Sequence, residues 1–108
     1  MRAAPTPRCY AGRRDPDGTS VTRPDGSPLD LEPSLAVWRH SPSGFEWGFA
    51  GSGPAQLALA LLLDHTGDSV VAQSHYQRFK VDVVARWRGM EWTLEPREID
   101  AWLAVHTE

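Results

Sequence analysis

The chain has 108 residues, one cysteine and a formal net charge of −3 at pH 7. That length suits a single domain that buries its own core without a disulfide or metal staple, and a lone Cys9 excludes an intrachain disulfide and fits a reducing compartment. The negative balance argues against nucleic-acid binding over the whole surface, and the opening stretch MRAAPTPRCYAGRR has no apolar run of the kind a secretory signal needs, so the expected setting is cytoplasmic.

Residues 1–7, with Pro5 and Pro7, read as a flexible tail, and 8–108 as one α+β domain. Arg8 to Ala11 reads as a first strand with Tyr10 inward. Asp15-Pro16-Asp17-Gly18 is a turn in which Pro presets φ and Gly supplies the positive φ. Thr19 to Arg23 is β-branched and alternating, so it completes a hairpin. After a second turn at 24–28, residues 29–34 stay open between a short edge strand and an irregular link, since Pro33 bars a central strand. Leu35 to His40 alternates and reads as a strand, turned by Ser41-Pro42-Ser43-Gly44 so that Phe45-Glu46-Trp47 returns as the last one. The first half is thus expected to be an antiparallel β-meander of three to four strands.

The second half reads as helical. Pro54 suits a first helical turn, with Ser52 or Gly53 as N-cap and Gln56 placed to reach back. From Ala55 to Leu63 every residue except Gln56 is Ala or Leu. A helix apolar all round must be covered on all sides. It is far shorter than the ~20 residues that span a bilayer, so the cover is expected from the rest of the protein and no membrane partner is expected. Gly67 serves as C-cap and Asp68 as the next N-cap. Val70, Ala72, Tyr76, Phe79, Val83, Val84 and Trp87 mark one face of a following helix, with a break or a strand at 81–88 left open. Gly89 stops it. Pro96 and Glu98 open a last helix, with Ile99, Trp102, Leu103 and His106 on one face.

Chemistry-bearing motifs fail on inspection. Gly48 and Gly53 have the spacing of a P-loop, but Pro54-Ala55 stands where Lys-Ser/Thr is needed. Ser52 lacks the flanking glycines of a nucleophile elbow. Cys9 with His40 has no local signature of a nucleophile and base. His40, His65, His75 and His106 lack metal-ligand spacing, so neither a metal nor any other cofactor is expected and no catalytic residue is assigned. Trp38, Trp87 and Trp102 fall on apolar faces and read as core; Trp47 and Trp92 fall at element edges, where an indole can take part in recognition.

His40-Ser41, then Gly44-Phe45-Glu46-Trp47-Gly48-Phe49 and Gly51-Ser52-Gly53-Pro54-Ala55-Gln56-Leu57-Ala58, and later Tyr76-Gln77-x-Phe79-Lys80, resemble a family of small bacterial and phage proteins known only as a domain of unknown function. The resemblance covers roughly His40 to Trp102, more weakly the Arg8 to Val21 hairpin, and centres on W-G-F-x-G-S-G-P-A-Q-L-A. It implies a cytoplasmic protein, often encoded by mobile elements, and no assigned activity. Ala50 stands where Gly is expected.

Two functions follow. The first is a non-enzymatic binding or adaptor module that presents Trp47, Phe49, Ser52, Gly53, Gln56 and His40 to a protein partner. The second is a nucleotide- or nucleic-acid-binding protein that holds phosphate at Ser52 and Gly53, on the helix N-terminus, with Arg13, Arg14 and Arg39. Helical faces rich in Trp and Val could also meet a second copy of the chain.

Overall fold

A computed structural model of the chain describes residues 8–106; the tail expected at 1–7 lies outside the described residues. The architecture is α+β. A three-stranded antiparallel sheet, in the order β2-β1-β3, packs with four helices. Strands β1 (Tyr10–Asp15) and β2 (Gly18–Thr22) form the expected hairpin, with Gly12 opposite Val21. The third strand is β3 (Glu91–Leu94), which comes from late in the chain and pairs with β1, Tyr10 opposite Leu94 and Gly12 opposite Trp92. One face of this sheet carries Tyr10, Gly12, Val21, Trp92 and Leu94 into the core.

Of the stretch Leu35 to His40, expected as a strand, the first half lies in a short helix, α1 (Glu32–Val37), and the rest in the turn that leaves it. Pro33 occupies its first turn, where a missing N–H is harmless. Phe45 to Trp47 is extended but belongs to no sheet. Its backbone groups go to three different partners: the Phe45 carbonyl accepts from Thr19 Oγ1, the Trp47 carbonyl from Arg14 Nη2, and the Gly48 N–H donates to the Val84 carbonyl.

The greasy helix, α2 (Ser52–Thr66), is sheathed as its composition demands. Gly53 through Leu62 are all buried, and α1, α3 (Ser69–Asp82), α4 (Pro96–His106), a 3-10 turn at Val84–Arg86 and the inner face of the sheet surround it. Its N-cap is Gly51, one residue earlier than expected, without a side-chain cap; Gly67 ends it in the left-handed conformation. Asp68 caps α3 by accepting from the Val70 and Val71 N–H groups at 2.9 and 3.2 Å. The open question at 81–88 resolves as a break: α3 stops at Asp82, Val83 leaves helical geometry, and a 3-10 turn follows. In α4, the Glu98 carboxylate accepts from the Glu95 N–H at 2.8 Å, closing the helix start. No helix among the described residues is long and apolar enough to cross a membrane.

Candidate functional site

The expected recognition turn splits into an inside and an outside. Trp47 is 2% exposed and Gln56 is 0% exposed, so neither side chain stands out from the surface. Phe49, at 51%, and Ser52 are exposed, and His40 is half-buried. Trp92, expected at an edge, is buried, whereas Trp38, expected in the core, is 52% exposed.

Gln56 explains its own place in a helix of Ala and Leu. Its Oε1 accepts from the His40 and Ser41 N–H groups at 2.7 and 2.9 Å, and its Nε2 donates to Ser34 Oγ and the Trp38 carbonyl at 2.9 and 3.0 Å. One amide thus satisfies the turn leaving α1, and none of its four bonds goes to the start of α2. The same turn holds His40 beside α3, where its Nε2 meets the Tyr76 hydroxyl at 2.6 Å. Cys9 plays no part in that pair.

Trp47 anchors the other side. Its indole N–H donates to the Gly89 carbonyl at 3.2 Å, and its ring packs nearly perpendicular to Trp92, 5.8 Å between centroids. Trp92 stacks in turn on Trp87, 4.1 Å away and nearly parallel. Arg14 lies over the open face of Trp47, 4.4 Å from its centroid, pairs with Glu46 at 2.6 Å, and donates to the Trp47 and Gly89 carbonyls. Gly48 threads this junction at φ +89°, and a Cβ there would press on the Trp87 carbonyl.

Outside this lock, Arg14, Glu46, Trp47, Gly48, Phe49, Trp87, Arg88 and Gly89 line an open groove of about 460 Å³. Phe49 folds back over Gly51 at one rim. Met90, 53% exposed, follows the other. Arg88 donates to the Ala85 and Trp87 carbonyls, and Arg86 to the Val81 carbonyl; neither has an acidic partner among the described residues. Sequence reasoning missed Trp87, Arg88 and Met90. Trp87 and Arg88 share a groove with Phe49 because the Gly48 N–H reaches Val84, a contact that no local spacing reveals.

The residues of the phosphate reading do not converge. Arg13 and Arg14 are neighbours on β1 and leave opposite faces: Arg13 lines a shallow groove on the outer face of the sheet with Ser20 and Thr93, while Arg14 is engaged by Glu46. Arg39 is exposed beyond α1. Gly53 is buried against the aliphatic stem of Glu46, its would-be Cβ 2.6 Å from the Glu46 Cβ, so the start of α2 is covered there. Among the described residues, no group of three or more His, Cys, Asp or Glu is placed to hold a metal ion.

The chain belongs to the family of unknown function DUF6166, which matches it over residues 10–105. No curated protein and no solved structure matches it.

Proposed function

We propose that this DUF6166 protein is a non-enzymatic binding module that takes an acidic segment carrying an aromatic or aliphatic side chain from a partner protein into the groove between residues 46–49 and 87–90. One observation carries this reading: Phe49 stands half-exposed beside Trp87 and an Arg88 that lacks an acidic partner among the described residues. An aromatic anchor next to an uncommitted guanidinium is the usual make-up of a binding hot spot. The floor is pre-organised, because Arg14, Trp47, Trp87 and Trp92 are already locked to one another. The single half-buried Cys9 and the resemblance to phage and mobile-element proteins support a cytoplasmic setting.

The test is selection from a displayed random-peptide library on the whole chain, counter-selected on Phe49→Ser/Arg88→Glu. Enriched peptides should carry Asp or Glu flanking an apolar residue, and should bind the double variant at least about tenfold more weakly, the scale of one lost anchor. Both substitutions are on the surface, so the fold should survive them. A library that returns no peptide sensitive to the two changes would overturn the reading.

Aromatic and arginine side chains in one groove also suit stacked bases of a single strand, which keeps nucleic acid as the second reading. It predicts oligonucleotide binding in the same groove that weakens steeply with salt. A flat salt response removes it.

A further inference from the structure

The C-terminal half of α2 builds a different feature. Where it faces α1 the meeting residues include Ser34, Ala60 and Gly67, which fill less space than the Leu and Phe packed elsewhere in the core. They leave a cavity of about 360 Å³, at the small end of ligand pockets. Leu29, Pro33, Ala60 and Leu63 supply apolar wall, and Arg23, Asp30 and Asp64 supply charge.

Those charges are not equivalent. Asp64 is committed: its Oδ2 accepts from the Tyr10 hydroxyl at 2.7 Å and its Oδ1 pairs with Arg23 Nε at 3.0 Å. Burial, and then the hydrogen bond to Asp64, push the Tyr10 phenol well above its ordinary range, so it stays a donor across working pH. Asp64 therefore acts as a fixed post that aims Arg23. The ion pair closes through Nε at 3.0 Å, and Nη1 and Nη2, the end of the fork, make no hydrogen bond among the described residues. Asp30 is exposed and likewise without a partner among them. The cavity thus offers a pre-aimed pair of donors, a carboxylate and an apolar wall.

We propose that this cavity binds a small zwitterion with an apolar side chain, an apolar α-amino acid being the simplest case. Its carboxylate would take the Nη1 and Nη2 donors of Arg23, its ammonium would pair with Asp30, and its side chain would lie on Leu29, Ala60 and Leu63. A planar guanidinium end matches a carboxylate in two-point geometry, which a lysine could not do. A simple anion would meet Asp30 and Asp64 as like charges, and a simple cation would meet Arg23; a ligand carrying both signs avoids either repulsion. The small residues of the helix contact explain why room remains for a side chain. This inference is independent of the groove at Phe49.

Amide-resolved NMR titration of the whole chain with L-leucine, N-acetyl-L-leucine and L-leucinamide tests it. Leucine should give saturable shifts at Leu29, Ala60 and Leu63, and each blocked form should bind at least about tenfold more weakly, since each loses one charge-assisted contact. Arg23→Gln should weaken leucine by the same factor, and Arg23→Lys should restore only part of it. Asp30→Asn should weaken leucine and leave N-acetyl-leucine unchanged. Arg23 and Asp30 lie at the surface, and unchanged shifts elsewhere in each variant's spectrum certify the fold. The proposal falls if leucine moves none of the three amides at roughly 10 mM, if the three ligands bind alike, or if Arg23→Gln binds as the parent does.

Discussion

The helical side of the core and the sheet side bury polar side chains in opposite ways. On the helical side Gln56 is fully enclosed and makes all four hydrogen bonds that a primary amide offers. On the sheet side Trp92 is also buried, yet its indole N–H is a buried donor with no partner among the described residues. There the packing is set by shape: the indole lies across Gly12, stacks on Trp87 and packs nearly perpendicular to Trp47. One side is specified by directional bonds and the other by fit. The two should therefore fail differently.

The largest effect should come from the directional side. Gln56→Leu keeps the volume and the helix but leaves the His40 and Ser41 N–H groups without their acceptor, and the Trp38 carbonyl and Ser34 Oγ without their donor. Unsatisfied groups of this kind cost roughly 1–3 kcal/mol each, and local relaxation recovers part, so a loss of about 3 kcal/mol or more is expected in urea unfolding. A variant within about 1 kcal/mol of the parent would show that the turn at 38–41 finds its bonds elsewhere.

The fit-specified side should answer to volume instead. Gly12→Ala puts a methyl group where the Trp92 indole now lies, and overpacking of this sort typically costs about 1–3 kcal/mol. The displaced Trp92 should also lose its stacking on Trp87, which near-ultraviolet circular dichroism reads directly. Retained tryptophan signals would place the indole off Gly12. Removing one bond from the Tyr10–Asp64–Arg23 post is milder. Tyr10→Phe should cost about 1 kcal/mol, the worth of one hydrogen bond to a charged acceptor less the relief of desolvation, and thermal melts at neutral pH measure it.

The same contrast marks how far the amino-acid pattern alone could be read. The buried α2, its Gly67 stop and the Asp68 cap were legible because each rests on neighbours in the chain. The alternation of Leu35, Val37 and Arg39 reads as a strand over 35–40 and leaves 29–34 open, but Glu32-Pro33 opens helix α1 by the same grammar that Glu95-Pro96 uses for α4. Strand β3, Glu91 to Leu94, was not legible because its partner is β1, some eighty positions earlier in the chain. Of the candidate site, Phe49 was legible, whereas its neighbours Trp87 and Arg88 and the burial of Trp47 depend on the contact between Gly48 and Val84. Arg23 and Asp64, at the cavity, carried no signal at all, because Asp64 reads as a polar helix end until Tyr10 is folded against it.

The smallest effect belongs to the surface of the directional side and has a definite sign. Burial beside Tyr76, and then the nearby Lys80 charge, hold the His40 imidazole below its ordinary value of 6.5. The fold therefore favours neutral His40. Between its folded and unfolded values the unfolded chain binds more protons, so stability should be at its full level above about pH 6.5 and decline as pH falls through that value towards the folded one, then level off. Urea midpoints at pH 7.5 and 5.5 should differ in that direction for the parent, and the part contributed by this ring should vanish in His40→Asn. If His40→Asn kept the whole pH response, the dependence would not belong to this ring.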